Sequence, residues 1–344
     1  MVWMLVLWGC KGDKADDTGD WSGDVTVTTD GEMAALCAAT STVDGDLTIT
    51  ALEATTLSSL DCLTEVAGNL TVLANPGLTD VGLSGLTSLG GEIYIADNAA
   101  LTGVTGLNGI PWAAGVVISD NPALSGIDGL TALAEVDGGV SLSDNDALTG
   151  VAGLTALGTA GRLSLYGNDA LTGAAGLAGV TTLSALTVED NAALTGLSGL
   201  AGLTAVSGDV RITGNPALAD IDGLAQLDSI SGSLTIQDNE VLTTLDGLVE
   251  LGDLGGDLSL YDNPDLSDVS GLSGISSLSG SLNLVDNDSL TDIGGLSGIT
   301  SIGGSLLISG GGLTDTGLTG LTTVSGDVTL RDADGLSDVG LASL

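Results

Sequence analysis

Apolar residues recur along the chain in a pattern that repeats every 22 to 24 residues from Leu47 onward. In the clearest copies two apolar residues alternate with polar ones, as in Leu234-Thr235-Ile236. This period of two predicts one short β-strand per copy, with two side chains facing inward and their neighbours facing outward. The first inward position of successive strands falls at Leu47, Leu70, Ile93, Val116, Val140, Leu163, Leu186, Val210, Leu234, Leu258, Leu282, Leu306 and Val328.

The remainder of each copy carries four more apolar residues at irregular spacing, with glycine between them. No run there is long enough for a substantial helix, so we expect loops or short turns that bring the chain back to the next strand. A single copy cannot bury its apolar side, and its stability must come from stacking on both neighbours. The pattern therefore predicts a mainly β repeat solenoid of about 13 coils over residues 47–344.

An asparagine stands five residues after the first inward position in ten consecutive copies. Asparagine suits a turn out of a strand because its short amide bonds to neighbouring backbone and tolerates unusual dihedral angles. Four of the five prolines directly follow one of these asparagines, which fits a strand that has ended. Stacked copies should align the amides in a ladder formed by Asn75, Asn98, Asn121, Asn145, Asn168, Asn191, Asn215, Asn239, Asn263 and Asn287.

These features resemble the leucine-rich repeat family, and more closely its receptor L-domain variety, whose coils carry a glycine before the strand and an asparagine after it. The resemblance covers about residues 45–344 and implies either a leucine-rich-repeat solenoid or a right-handed β-helix. Two departures from the common repeat are a spacing of four from Val66 to Leu70 and N-x-x-L in place of N-x-L. They favour the straighter β-helix over a strongly curved horseshoe.

The chain begins with an apolar run, Met1 to Cys10, that is too short to cross a bilayer as a helix, which takes about 20 residues. Its end, Leu7-Trp8-Gly9-Cys10, resembles the lipobox of bacterial lipoproteins, in which the cysteine becomes the lipidated first residue. The alternatives are a plain secretion signal or a chance apolar start. Residues 11–22 are predicted to form a flexible acidic tether. We therefore expect an extracytoplasmic, lipid-anchored protein at a bacterial outer membrane or cell surface.

Both ends of the solenoid need protection, because an open end exposes apolar side chains and strand edges. Residues 23–46 are predicted to form an N-terminal cap, with a disulfide between Cys37 and Cys62; two buried free thiols are the alternative. The other end, at Leu344, falls inside a coil. Self-association there is one hypothesis, and an incomplete reading frame is the other.

The chain has 45 acidic and five basic residues among 344, a formal net charge of −40. Nucleic acid and anionic membrane surfaces would be repelled, so membrane attachment is expected through the lipid anchor only. Because histidine is absent, the common nucleophile, base and zinc-ligand combinations are not available. We predict that the protein is not an enzyme and has no cofactor.

Several acids directly precede the ladder asparagines and so follow the repeat, which favours a role in the turn over one special site. A second hypothesis for these aspartates is Ca²⁺ binding, since carboxylate oxygens are the ligands that this cation prefers. The bound cation would also reduce the repulsion among the negative charges of the chain. The calcium candidates are Asp97, Asp120, Asp144, Asp190, Asp238, Asp262 and Asp286.

The outward side of the strands carries every tyrosine and arginine of the chain. Both residue types are enriched where proteins touch partners, although tyrosine also favours strands for its own sake. Trp112, on the return side of a coil, is either packing or a second contact point. The candidate binding face comprises Tyr94, Arg162, Tyr166, Glu189, Arg211, Gln237, Tyr261 and Arg331.

The sequence favours a binding scaffold that recognises an extracellular protein or glycan through this face, without choosing between the two. The alternative is a structural, self-associating surface-layer or adhesion component. A third reading is a carboxylate-dependent enzyme acting on polysaccharides, because β-helical enzymes use clustered acids.

Overall fold

The computed structural model describes residues 21, 23–310, 312–332, 335–336, 341 and 343–344. The predicted signal segment with Cys10, and nearly all of the predicted tether, lie outside the described residues.

The strands with the alternating pattern form one parallel sheet, in which each strand pairs with its equivalents in the coils before and after it. We number the strands in chain order, and the odd-numbered ones form this main sheet. They are β1 Val25–Val27, β3 Leu47–Thr50, β5 Leu70–Leu73, β7 Ile93–Ala96, β9 Val116–Ser119, β11 Val140–Ser143, β13 Arg162–Tyr166, β15 Ala185–Glu189, β17 Val210–Thr213, β19 Leu234–Gln237, β21 Leu258–Tyr261, β23 Leu282–Val285, β25 Leu306–Ser309 and β27 Val328–Arg331.

Each coil also has a two-residue strand shortly before its main strand, and these pair from coil to coil in four narrow parallel sheets. The sequence pattern had predicted loops in these places. The even-numbered strands are β2 Thr42–Val43, β4 Glu65–Val66, β6 Ser88–Leu89, β8 Trp112–Ala113, β10 Glu135–Val136, β12 Thr159–Ala160, β14 Thr182–Leu183, β16 Ala205–Val206, β18 Ser229–Ile230, β20 Asp253–Leu254, β22 Ser277–Leu278, β24 Ser301–Ile302 and β26 Thr323–Val324.

The return side of many coils contains a single turn of 3₁₀ helix, in agreement with the expected short turns. Its central residue is usually glycine, because this turn stacks tightly on the coil before it. A Cβ added at Gly223, for instance, would overlap the carbonyl oxygen of Leu197. The 3₁₀ turns are Ser58–Leu60, Asp128–Leu130, Ala152–Leu154, Ser198–Leu200, Asp222–Leu224, Asp246–Leu248, Ser270–Leu272 and Gly294–Leu296.

The core is a continuous column of leucine, valine and isoleucine between the main sheet and the return segments. Both inward residues of each main strand from β3 to β25 are buried, as in the pair Leu234 and Ile236. The repeat solenoid predicted from the alternation is therefore the fold of the chain.

The N-terminal end is covered by helix α1, Asp30–Ala39, which buries Met33 and Leu36 against the column. Thr29 and Glu32 form a capping box at its start, with Glu32 Oε2 accepting hydrogen bonds from the backbone N–H of Thr28 and Thr29 at 2.7 and 3.0 Å. These bonds, chiefly the one from Thr28, lower the pKa of Glu32.

The main sheet extends into this cap, because β1 pairs with β3. It therefore has fourteen strands within the described residues, one more than the number of coils counted in the sequence. The predicted disulfide between Cys37 and Cys62 is present, with the Cα atoms 5.6 Å apart. Trp21, which falls in the stretch predicted to be a tether, is partly buried against the core.

Candidate functional site

The outward face of the main sheet is organised in rows, since the strands pair in register. One row holds the residue directly before the first inward position, which we call the pre-strand row. The second row follows that inward position by one residue, and the third follows it by three.

The register between the main strands decides which residues of the candidate binding face lie next to each other. Tyr166 lies directly opposite Glu189 on the next strand, and Gln237 lies opposite Tyr261. Tyr94 belongs to the second row of β7, whereas Arg331 belongs to the third row of β27, so these two candidates lie far apart on the sheet.

All three arginines lie on this face, and they are the only basic residues in the described part of the chain. Arg211 is 3.8 Å from the carboxylate of Asp209, and both side chains are about half exposed. At that exposure the ion pair contributes little stability. Arg331 donates from Nε to the hydroxyl of Ser309 at 3.2 Å. The sparse positive charge of the solenoid is thus concentrated on one surface.

Two depressions mark this face. The larger, of about 710 Å³, runs across strands β7 to β15 and contains Tyr94 and Arg162. We call it the groove; its floor includes Gly115, Gly139 and Ser141.

The smaller depression, of about 200 Å³, lies farther along the sheet. It brings together three of the predicted face residues, Glu189, Arg211 and Gln237. Gly214 also lines it, at a position where many other coils have aspartate, so no side chain projects from the backbone there.

Side chains of the pre-strand row form a ladder of their own. Asn69 Oδ1, for example, accepts a hydrogen bond from the N–H of Glu92 at 2.8 Å, and Ser233 Oγ accepts one from Asp257 at 3.0 Å. This pre-strand ladder links Asp24, Asp46, Asn69 and Glu92 at one end, and Asp209, Ser233, Asp257, Ser281, Ser305 and Asp327 at the other.

The pre-strand ladder is interrupted between these two stretches, where the row reads Gly115, Gly139, Arg162 and Ala185. Glycine has no side-chain oxygen to accept a bond from the Gly139 N–H. The row residue before Gly115 is Glu92, whose longer side chain places its carboxylate beside Gly115 without forming the ladder bond. Within the described residues, neither the Gly115 N–H nor the Gly139 N–H donates a hydrogen bond. The interruption coincides with the groove.

Ionisable groups around the groove are shifted toward their neutral forms. Burial raises the pKa of Glu92. Burial, followed by repulsion from Asp97 and Asp120, raises the pKa of Tyr94, so its hydroxyl stays protonated at neutral pH. For Tyr166 the main cause of a raised pKa is the nearby carboxylate of Asp190.

The aspartates before the ladder asparagines have a backbone role. Asp97 has φ +57° and Asp262 has φ +52°, and all seven calcium candidates lie in this left-handed region. Aspartate and glycine tolerate that region better than most residues, which explains why Gly167 and Gly214 occupy the same position in other coils. These values support the role in the turn. Among the described residues, no group of three acidic or cysteine side chains could hold a metal ion.

The ten predicted asparagines form a continuous amide ladder and are almost completely buried. Asn191 is representative. Its Nδ2 donates to the carbonyl oxygens of Leu165 and Glu189, both at 3.0 Å, and to Oδ1 of Asn215 at 3.2 Å. Its Oδ1 accepts from the N–H and Nδ2 of Asn168 at 3.2 and 3.4 Å. The ladder therefore satisfies its own polar atoms while it connects three coils at each step.

Trp112 lies in β8, in one of the narrow sheets of two-residue strands, and is half-buried. Its indole Nε1 donates to Asp137 at 3.4 Å. It takes no part in the groove.

No helix in the described part of the chain is long and apolar enough to cross a membrane.

The geometry defines a leucine-rich β-solenoid. No family model and no curated protein matches the chain. Among solved structures the chain is similar to the crystal structure of an internalin from Listeria monocytogenes, at 15% sequence identity over 88% of this chain and 87% of that chain. The TM-score is 0.30, and at that value the likeness carries no argument about fold or function.

Sequence reasoning missed the groove residues Glu92, Gly115 and Gly139. The sequence carries a signal for them. The pre-strand row is rich in aspartate, asparagine and serine, and it changes to glycine, glycine, arginine and alanine in four consecutive coils.

Proposed function

We propose that this chain is an extracytoplasmic, lipid-anchored scaffold that binds a protein or glycan through the outward face of the main sheet. One observation carries the proposal: in a chain of net charge −40, the arginines are all placed on this face, together with all three tyrosines. Tyrosine and arginine supply much of the binding energy at interfaces.

The two depressions support this use of the face, because concave surfaces with a few convergent polar groups are typical of binding sites. Catalysis is not part of the proposal. The carboxylates of the described residues recur with the coils, and the aspartates of the left-handed turn serve the backbone.

The test is position-dependent photo-crosslinking on intact cells that display the full chain. A benzoylphenylalanine residue replaces Tyr166 or Tyr261 on the face, and the control replaces Val249, which is 52% exposed on the return side. We expect the same partner to be captured from Tyr166 and Tyr261 and not from Val249. Equal capture from all three positions, or capture from Val249 alone, would contradict the proposal.

A self-associating structural component is the second candidate, and one observation favours it. Val328, the first inward residue of β27, is 41% exposed, whereas its counterpart Leu306 in β25 is buried. Copies that associate through this end would give concentration-dependent light scattering, which Val328→Asp should abolish. A monomer at high concentration would remove this candidate.

A further inference from the structure

We propose that the groove between Tyr94 and Arg162 binds a neutral oligosaccharide, an inference that rests on the proposed function of the face and specifies its ligand. The groove is the place where the pre-strand ladder is missing. It is also long, since β7 and β13 are three strand spacings apart, about 14 Å.

The backbone N–H groups on the floor of the groove favour a ligand that offers hydrogen-bond acceptors. In the intact parts of the pre-strand ladder each N–H of the row is bonded to a side-chain oxygen of the preceding coil. The N–H groups of Gly115 and Gly139 lack that partner within the described residues, and Gly115 is buried. A buried N–H group without an acceptor is costly, so a ligand oxygen placed there would gain binding energy.

The side chains that line the groove suit a sugar. Tyr94 offers a half-buried aromatic ring at one end, and Arg162 offers an exposed guanidinium at the other. Between them Glu92 can accept hydrogen bonds, and hydroxyls such as that of Ser141 can both donate and accept. A sugar ring presents many hydroxyls, each a donor and an acceptor, and an apolar face that packs on an aromatic ring.

The same lining does not favour a peptide. Protein partners are usually anchored by large side chains in apolar pockets, and the floor here is glycine, serine and small aliphatic residues. A peptide strand cannot extend the sheet at this place either, since β9 and β11 are already paired on both sides.

The charge of the chain favours a neutral ligand over an acidic one. The groove has one arginine and one glutamate, and the chain as a whole carries −40. An acidic saccharide would be repelled by the surrounding field, whereas a neutral one would not.

The test is a titration of the full chain, purified without sugar-based detergent, with gluco-, manno- and galacto-configured neutral tetrasaccharides. Sialylated and uronate-containing oligosaccharides form the acidic arm. Binding is followed by ligand-observed saturation-transfer NMR and by calorimetry. We expect at least one neutral series to bind, with the acidic arm weaker.

Three variants locate the site. Gly115→Ser places a hydroxyl on the floor of the groove, where only the flexible end of the Glu92 side chain has to move. The new hydroxyl can accept a hydrogen bond from the Gly139 N–H. Tyr94→Ser removes the ring, and Arg162→Gln removes the charge. Each should lower affinity about tenfold or more while the melting temperature stays near that of the wild type. The control, Ser281→Ala, changes the same row far from the groove and should leave affinity unchanged.

The inference fails if no neutral oligosaccharide binds at millimolar concentration, if the acidic arm binds more tightly, or if Gly115→Ser and Tyr94→Ser bind as the wild type does. Crosslinking from Tyr166 and Tyr261 distinguishes failure of the oligosaccharide proposal from failure of the proposed function of the face. If those crosslinks still form, the face binds another partner and the proposed function stands. If they are also absent, both proposals fall.

Discussion

Substitution of one buried asparagine in the middle of the amide ladder should destabilise the solenoid more than any single surface change. Asn191→Ala removes three donated bonds, to Leu165, Glu189 and Asn215, and two accepted from Asn168. At a net value of about 1 kcal/mol for each bond, the expected loss is about 3–5 kcal/mol, since the carbonyl oxygens keep part of their bonding. A further contribution comes from the small cavity that the missing amide leaves.

The assay is urea unfolding followed by circular dichroism, combined with hydrogen exchange of the coils between residues 163 and 215. Exchange should accelerate on both sides of the substitution, because each amide connects three coils. The matched control is Asn108→Ala, an exposed asparagine for which a change within about 0.5 kcal/mol is expected. The reasoning is refuted if Asn191→Ala and Asn108→Ala cost the same, or if exchange changes only at position 191.

Three further predictions test the packing, the cap and the electrostatics. Gly223→Ala should cost about 1–3 kcal/mol in urea unfolding because its methyl group would overlap the Leu197 carbonyl, whereas Gly150→Ala, whose Cβ would meet nothing within 4 Å, should be neutral; equal effects would contradict the close stacking. Serine at both Cys37 and Cys62 should lower stability by about 3 kcal/mol, the value for closing a loop of 25 residues, and should speed exchange in α1 first; unchanged protection of α1 would count against a stabilising cap. Burial, followed by repulsion from Asp238 and Asp286, raises the pKa of Asp262, so ionisation disfavours the folded state and stability falls as pH rises through that pKa. Asp262→Asn, which suits the left-handed backbone, should therefore raise the melting temperature at pH 7 in low salt. The gain should disappear at pH 3 and shrink in 1 M salt, which screens the repulsion but not the effect of burial; an equal gain at both pH values would contradict this prediction.

The repeat and its strands could be predicted because they depend on local alternation. The triplet Leu234-Thr235-Ile236 became part of β19, and each first inward position lies in a main strand. The short even-numbered strands were not predicted, since two residues show no periodicity. Strand β1 was missed for a similar reason, because its three residues precede the regular copies.

The candidate face could be predicted as a set of outward residues, but not as a site. Alternation shows that Tyr94, Arg162 and Gln237 point away from the core, and it does not show which of them share a depression. The interruption of the pre-strand ladder was not predicted either, because its hydrogen bonds join different copies and become visible only when the copies are compared position by position.

The sequence by itself determined that two-dozen-residue coils stack as parallel strands with buried asparagines, because no coil can bury its own leucines or satisfy its own turn amides alone. Only the tertiary structure decided which outward residues meet and which backbone N–H groups are left for a ligand. Both depend on how successive coils stack. Stacking keeps the main strands in register although the coils differ in length between 22 and 24 residues, and no local pattern within one coil sets it.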